Sequence, residues 1–189
     1  MRSTDSAILS LRVKALSGLY QHIAATRMQG IPLLNLAVQV EAVGFELVQA
    51  DASDAEAPAA GVGVLVTPWF MNLVWLPLRP LDLSRQVGCK VPRYVGPECF
   101  EFIGAHEDDF GSYEACSLFS PVLEFENHQA SVATARAVLE TLRQPASTAA
   151  AQVAKPAQPA LPQVPARRAF LFGRSSTVAV PGRGEAGRG

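Results

Sequence analysis

The chain reads GVGVLVTPWFMNLVWLP over residues 61–77, and this stretch determines the predicted fold. Its two halves, residues 61–67 and 71–77, are apolar at nearly every position, which is typical of strands covered on both faces. Thr67-Pro68 separates the halves, because the residue before a proline favours an extended or turn conformation. We therefore predict that two strands of this stretch lie at the centre of a sheet.

The same region contains 22 consecutive uncharged positions, residues 57–78, which is long enough for a membrane-spanning helix. Pro68 and Pro77 would each remove a hydrogen bond from such a helix, and Asn72 would need a partner in lipid. The valines at positions 62, 64 and 66 alternate as they do in a strand. The sequence therefore favours a pair of strands over a membrane span.

A helix is predicted on each side of the strand region. The first is amphipathic, about 20 residues long, and lies between Thr4-Asp5-Ser6 and Gly30-Ile31-Pro32. The second begins after Asn127 and ends before Pro145. Their apolar residues recur at three- and four-residue steps, at Leu9, Val13, Leu16, Tyr20 and Ile23 in the first and at Val132, Ala135, Leu139 and Leu142 in the second.

Three further strands are predicted around the central pair. The first covers residues 36–47, where apolar and polar residues alternate, with a bulge at Gly44. The other two cover residues 99–105 and 113–119. They flank residues 106–111, which have the composition of a hairpin loop.

These elements predict an α+β fold, in which an antiparallel sheet of about five strands is flanked by an N-terminal and a C-terminal helix and followed by a disordered tail. We predict one folded domain over residues 1–144, an Ala/Pro-rich linker over residues 145–166 and a basic tail over residues 167–189, which carries an Arg-Arg patch. The linker is mostly Ala, Pro, Gln and Val, and such a composition supplies few large side chains for a core.

Composition and charge limit the classes of function. Of the 189 residues, 49% are hydrophobic and 17% are charged, which is enough for one sizeable core. The net charge of −1 gives no support for nucleic-acid binding through phosphate neutralisation. The charge is uneven, since residues 1–144 carry 10 basic and 16 acidic side chains and residues 145–189 carry 6 and 1.

Motifs for catalysis or metal binding are scarce. Cys89, Cys99 and Cys116 are widely spaced, and the three histidines fall in unrelated segments, so we predict no metal site and no cofactor. The odd number of cysteines favours a reducing, cytoplasmic location. Residues 1–14 contain charges and no apolar run typical of an export signal, which indicates the same location.

The cysteines also leave a redox interpretation open. If residues 106–111 join a hairpin, Cys99 falls nearly opposite Cys116 or Ser117 in the neighbouring strand. Such a pair is consistent with a redox function or with inert buried thiols.

Two segments carry a more specific signal. Residues 65–74 contain Thr-Pro-Trp followed by an apolar strand, and residues 115–121 read Ala-Cys-Ser-Leu-Phe-Ser-Pro. Together with Val43-Gly44-Phe45 and an Arg-Arg-Ala-Phe-Leu-Phe-Gly patch in the tail, they resemble the HybE/HupJ/HoxT family of [NiFe]-hydrogenase assembly chaperones. The resemblance spans residues 10–143 and 166–174.

The resemblance implies a cytoplasmic chaperone and not an enzyme. Its partner would be the precursor of a hydrogenase small subunit, whose twin-arginine signal peptide is held back from export until the metal clusters and the large subunit are in place. Other hydrogenase maturation proteins are further expected partners. No cofactor is expected, since the chain lacks the Cys-x-x-Cys pairs of relatives fused to a rubredoxin. The residues expected to bind the partner are Thr67, Pro68, Trp69, Phe70, Met71, Asn72, Cys116, Ser117, Phe119, Ser120 and Pro121.

The chemistry of a signal peptide supports this interpretation. Two arginines followed by an apolar stretch need acidic residues beside a groove of aromatic, Met and aliphatic side chains. We expect Trp69 and Met71 to line this groove, whereas a groove position and a core position are both open for Phe70. Asn72 must satisfy its amide within the sheet or at the binding surface.

Two other classes of function stay open. One is a thiol-dependent maturation enzyme that uses Cys116 with His106 or Cys99 as its second group. The other is a scaffold that docks mature hydrogenase subunits without contacting a signal peptide.

The tail contains Arg167, Arg168, Phe170, Leu171 and Phe172, which we call the tail patch. Its order, Arg-Arg-Ala-Phe-Leu-Phe, copies the Arg-Arg-x-Phe-Leu core of the signal peptides implied by the resemblance. It is not an export signal, because Ser-Ser-Thr follows at residues 175–177 where an apolar segment would be needed. It is either a basic solvated tail or a mimic that docks on the acidic body of the same chain.

Overall fold

The computed structural model describes residues 2–48, 59–79 and 86–144. The predicted linker and tail lie outside these described residues. The strands form one sheet in the order β1-β2-β3-β6-β5-β4, and every neighbouring pair is antiparallel. In chain order the elements are α1 (Arg2–Ala25), β1 (Glu41–Leu47), β2 (Ala60–Val66), β3 (Met71–Pro77), β4 (Lys90–Val95), β5 (Glu98–Glu107), β6 (Gly111–Phe119) and α2 (His128–Arg143).

The predicted α+β class and its flanking helices are confirmed. The stretch at residues 61–77 forms β2, a turn and β3, which occupy inner positions of the sheet. Every residue of β2 is buried, which explains its unbroken run of apolar side chains. Within the described part of the chain, no helix is both long and apolar enough for a membrane crossing.

The two helices cover opposite faces of the sheet. Neighbouring residues of a strand point to opposite faces. In β2, Val64 belongs to the core cluster packed under α2, and Leu65 belongs to the cluster packed under α1. The core therefore has two layers, one on each side of the sheet.

The first strand begins later than predicted, at Glu41 instead of residue 36. Asn35 starts a turn there, since its carbonyl accepts a hydrogen bond from the Val38 N–H and its Oδ1 accepts one from the Ala37 N–H. The predicted bulge is present at Gly44, whose φ of 60° favours glycine, and the pairing with β2 shifts around it.

The sheet has six strands where about five were predicted, and the additional strand is β4. Pro92 lies in its middle, and a proline normally argues against a strand because it cannot donate to the ladder. β4 is an edge strand that pairs only with β5, so it has a side on which no donor is needed. The edge position therefore accounts for Pro92.

The ends of the helices agree with the prediction in part. Asn127 caps α2, and its Oδ1 accepts a hydrogen bond from the Ala130 N–H at 2.9 Å. α1 begins at Arg2, so Thr4-Asp5-Ser6 lies inside its first turns and does not precede it.

Arg12 of α1 is a buried cation that joins the helix to the sheet. Its Nε donates to the Pro77 carbonyl at 3.3 Å, and its Nη1 donates to the Phe110 carbonyl at 2.9 Å. The guanidinium also lies 4.0 Å from the centre of the Phe110 ring. Burial lowers the pKa of Arg12 from its ordinary value. The side chain thus connects α1 to the end of β3 and to the β5–β6 turn.

We expect Arg12→Met to lower the free energy of unfolding by about 1–3 kcal/mol. Methionine keeps an apolar side chain of similar length, but the carbonyls of Pro77 and Phe110 lose their hydrogen-bond donor. Denaturant unfolding measures this loss. Arg136→Met is the matched control, since Arg136 is exposed on α2 and its loss is expected to change stability by no more than about 0.5 kcal/mol. Equal small changes for both variants would contradict the role given to Arg12.

Candidate functional site

The two predicted motifs meet in the sheet, although residues 67–72 and 116–121 are distant in the sequence. β3 pairs with β6, and the register places Asn72 opposite Ser117. The turn before β3 and the chain that follows β6 therefore lie at the same end of the sheet. This end is the candidate functional site.

Thr67 organises the turn between β2 and β3. Its side chain is fully buried, and its Oγ1 accepts hydrogen bonds from the N–H groups of Trp69 at 3.3 Å and Phe70 at 3.0 Å. The same hydroxyl donates to the Phe70 carbonyl at 2.9 Å. Thr67 therefore orients the turn residues and is not itself available to a partner.

Trp69 and Phe70 pack against α1 and each stays partly exposed. The Tyr20 ring centre lies 6.2 Å from that of Trp69 and 5.6 Å from that of Phe70. The Tyr20 hydroxyl is hydrogen-bonded to the Tyr113 hydroxyl at 2.6 Å, which fixes the ring on which the turn rests. The turn is therefore anchored to α1 through the contacts of its two aromatic rings with Tyr20.

Met71 is buried and does not line an open groove. Its side chain is 0% exposed and belongs to the core cluster under α2. Trp69 and Phe70 pack in the other cluster, under α1. The strand begins at Met71, and its pleat turns this side chain toward the α2 face. The expectation that Met71 lines a groove is thus corrected.

Asn72 and Ser117 lie side by side at the start of β3 and the end of β6. Asn72 is partly buried, and its Oδ1 has no hydrogen-bond partner among the described residues. Ser117 is exposed beside it. The sheet therefore does not satisfy the Asn72 oxygen.

Beyond Phe119, the last residue of β6, the chain leaves the sheet. Phe119 is partly buried and packs edge-on against Phe125, with 5.4 Å between ring centres. Ser120 and Pro121 are exposed and joined by a cis peptide bond. Residues 120–127 thus form an ordered loop between β6 and α2.

Asn35 connects three segments at this end of the sheet. Its backbone N–H donates to the Pro68 carbonyl at 2.8 Å. Its Nδ2 donates to the carbonyls of Val122 at 3.0 Å and Phe125 at 2.7 Å. The loop before β1, the β2–β3 turn and the loop before α2 are therefore held together by one side chain and its backbone.

Exposed leucines lie on either side of this connection. Leu36 follows Asn35 and is 88% exposed, and Leu123 follows Val122 and is 54% exposed. Leu33, in the same loop as Leu36, is 52% exposed. Soluble proteins seldom expose several large apolar side chains together unless the surface binds something.

Two glutamates accompany the leucines. Glu124 and Glu126 are exposed in the loop that carries Leu123, and neither forms an ion pair with a described residue. Among the other described glutamates, Glu46, Glu101, Glu107 and Glu114 each pair with an Arg or a Lys, whereas Glu98 and Glu140 form no ion pair with a described residue. We call the exposed side chains of Leu33, Leu36, Leu123, Glu124 and Glu126 the loop surface.

The loop surface is absent from the predicted site. The sequence before β1 alternates apolar and polar residues, which favoured a strand for Leu36. Pro32 and Asn35 are the residues in the sequence that indicate a turn here, because proline and asparagine favour turns.

The cysteines do not form the predicted pair. All three are free. In the β5–β6 pairing Ile103 lies opposite Ala115, so Cys99 is four residues along β5 from that position and does not lie opposite Cys116. His106 also fails as a partner of Cys116, since its Nδ1 is hydrogen-bonded to the Ser112 hydroxyl at 2.8 Å.

We expect Cys116 to react with iodoacetamide more slowly than the exposed Cys89 and Cys99. Burial, together with the charge of Glu101, raises the pKa of the Cys116 thiol, so less of the reactive thiolate is present at a given pH. Mass spectrometry of the three labelled peptides at pH 8 measures the order. Labelling of Cys116 before the other two would revive the thiol-enzyme interpretation.

The described residues also bear on metal binding. Among residues 2–48, 59–79 and 86–144, no group of three or more His, Cys, Asp and Glu side chains is placed to hold a metal ion.

Comparison with known proteins places the chain in a family. A family model described as "[NiFe]-hydrogenase assembly, chaperone, HybE" matches residues 11–173. Protein HoxT of Cupriavidus necator is 44% identical over 171 residues, which cover 86% of this chain and 89% of HoxT. The hydrogenase expression/formation protein HupJ of Bradyrhizobium diazoefficiens is 35% identical over 133 residues, covering 70% of this chain and 72% of HupJ.

A solved structure shares the fold. The solution structure of HybE from Escherichia coli matches with a TM-score of 0.51 at 23% sequence identity, covering 87% of this chain and 91% of that one. The likeness concerns the arrangement of helices and strands.

Proposed function

Since this chain belongs to the HybE family of [NiFe]-hydrogenase assembly chaperones, we propose that it binds the precursor of a hydrogenase small subunit through its twin-arginine signal peptide and delays export. It would do so in the cytoplasm, before assembly with the large subunit. While the peptide is bound, its arginines and apolar stretch are not accessible to another receptor.

The loop surface is the observation that supports this proposal. Its exposed leucines offer apolar area, and its two glutamates offer carboxylates without a described cation partner. A twin-arginine signal peptide presents the complementary groups. Arginine forms bidentate hydrogen bonds with carboxylates, and an apolar peptide segment gains free energy when it covers exposed leucines.

The loop surface is preorganised for binding. Asn35 ties its two loops together, and Thr67 fixes the neighbouring turn. A surface that is already ordered loses less conformational entropy when a partner binds. The partly exposed Trp69 and Phe70 lie on that turn and extend the apolar area next to Asn35.

The proposed action needs binding alone. The raised pKa of Cys116 gives no support to a thiol-dependent step, because less of the nucleophilic thiolate is present at a given pH. Residues that hold a signal peptide act through affinity and through the time for which the peptide stays bound.

The test compares two clients. We expect the small-subunit precursor to bind about tenfold or more tightly than the same subunit without its signal peptide, since the loss of several buried contacts exceeds about 1.4 kcal/mol. Titration calorimetry with purified proteins measures both affinities. Equal affinities would overturn the proposal in favour of a scaffold that docks mature subunits.

A further inference from the structure

The sheet divides at β5, whose two halves pair with different strands. Residues 98–103 pair with β4, and residues 103–107 pair with β6. The pairing of β5 with β6 ends where Ile103 lies opposite Ala115. Beyond that point, residues 116–119 of β6 run beside β3 on one side, and no described strand pairs with them on the other. We call residues 116–119 the inner edge.

The hairpin of β4 and β5 departs from β6 because it bends toward α2. Its turn lies against the last turn of that helix, so closely that a Cβ at Gly96 would overlap the carbonyl oxygen of Leu142. Glycine at this position permits the close approach. Val95, beside the turn, packs against the core cluster under α2. This half of the hairpin therefore follows the helix and does not continue the ladder along β6.

The outer edges of the sheet are protected against the addition of a strand, whereas the inner edge is not. β4 contains Pro92, which has no N–H to offer a partner. β1 is interrupted by the bulge at Gly44, whose carbonyl accepts a hydrogen bond from Arg143. The inner edge reads Cys-Ser-Leu-Phe, with neither a charge nor a proline. Its backbone is therefore suited to pair with an incoming strand.

We propose that the apolar stretch of the signal peptide binds the inner edge as an additional strand beside β6. In this mode of recognition, backbone hydrogen bonds supply affinity for an extended peptide of variable sequence. Leu118 and Phe119 are partly exposed and offer apolar contacts to the peptide side chains. This inference rests on the proposed function, because it states how the same client is held.

The loop surface determines the direction of the added strand. β6 ends at Phe119, and the loop that carries Glu124 and Glu126 follows it. In a twin-arginine signal peptide, the arginines precede the apolar stretch. Arginines bound at the two glutamates therefore send the apolar stretch from Phe119 toward Cys116, antiparallel to β6. Four extended residues of the peptide cover about 13 Å, which is the length of the inner edge.

The experiment uses the full-length protein and a synthetic twin-arginine signal peptide of a hydrogenase small subunit. N-methylation removes a backbone donor from the peptide and changes nothing in the protein. Neighbouring residues of a strand direct their N–H groups to opposite sides. Two methyl groups on alternate apolar residues therefore block one side of the peptide, and two on the intervening residues block the other side. Titration calorimetry compares both peptides with the unmodified one.

We expect one methylated peptide to bind about tenfold or more weakly than the unmodified peptide, because it loses two hydrogen bonds to the inner edge. The other methylated peptide is the matched control and is expected to bind within about twofold of the unmodified one. Equal losses for the two peptides, or no loss for either, would overturn the proposal.

Hydrogen exchange locates the added strand in the protein. Binding of the unmodified peptide is expected to slow amide exchange about tenfold or more at alternate residues of the inner edge and to leave the amides of β4 unchanged. Protection along β4 or β1 without protection of the inner edge would overturn the proposal.

Failure of the proposed function has a different signature, which a peptide with both arginines replaced by alanine reveals. If that peptide protects the inner edge and binds as tightly as the twin-arginine peptide, strand addition stands and twin-arginine recognition falls. If the twin-arginine peptide binds more tightly and the inner edge gains no protection, the proposed function stands and strand addition falls. Binding of neither peptide overturns both.

Discussion

Met71→Ala is expected to lower the free energy of unfolding by about 2–5 kcal/mol, the range found for truncating a large side chain inside a core. Met71 is 0% exposed and packs in the cluster under α2, at the start of one of the inner strands. Alanine would leave a cavity that rigid neighbouring strands cannot fill. Denaturant unfolding, followed by circular dichroism, measures the loss.

Two controls make this expectation specific. Met71→Leu keeps the volume of the side chain and is expected to cost less than about 1.5 kcal/mol. Leu123→Ala, at an exposed position of the loop surface, is expected to change stability by no more than about 0.5 kcal/mol. If Met71→Ala left stability unchanged and weakened client binding, Met71 would belong to the binding surface after all.

Leu36→Asp with Leu123→Asp is expected to weaken binding of the small-subunit precursor about 100-fold or more while the protein stays folded. Each substitution removes an apolar contact and places a carboxylate where the peptide is apolar, and two losses of about 1.4 kcal/mol or more multiply to that factor. Both positions are more than half exposed, so the core is not affected. Titration with the purified precursor measures the change.

Leu11→Asp is the matched control for this pair. Leu11 is 69% exposed on α1, so it is as accessible as the two leucines of the loop surface. We expect Leu11→Asp to bind the precursor as wild type does. A similar loss in all these variants would show that binding responds to surface hydrophobicity in general and not to the loop surface.

The central strands were predictable because a strand that is buried on both faces needs apolar residues at nearly every position. The run at residues 61–77 is apolar on both sides of β2 and β3, and among the strands that the structure describes no other has the same pattern. The cap at Asn127 was predictable because asparagine is a preferred residue at the start of a helix. Its side-chain oxygen accepts a hydrogen bond from the Ala130 N–H in the first turn of α2.

The exposed position of Leu36 was not predictable from periodicity. Its spacing with Val38 is the same as that of two inward-facing residues of a strand. What decides its position is Asn35, whose Nδ2 bonds to carbonyls 87 and 90 residues later in the chain. Contacts of that range override local propensity and leave no local pattern.

The two motifs of the predicted site come together in the structure, and their part in binding stays a prediction. The motifs around Thr67 and Ser117 do meet at one end of the sheet, since β3 and β6 are neighbours. Which side chains of the motifs are available depends on the pleat, and the pleat places Met71 inside and leaves part of Trp69 accessible. The strongly exposed leucines come from the two flanking loops instead.

Photo-crosslinking from position 36 tests the central claim most directly, because it identifies what touches the loop surface. A photoreactive phenylalanine derivative replaces Leu36 in one preparation and Leu11 in another, and each is irradiated with the purified small-subunit precursor. We predict a crosslink from position 36 that mass spectrometry maps to the signal peptide, and none from position 11. Crosslinks from position 36 only to the mature part of the subunit, or equal crosslinking from both positions, would contradict the claim.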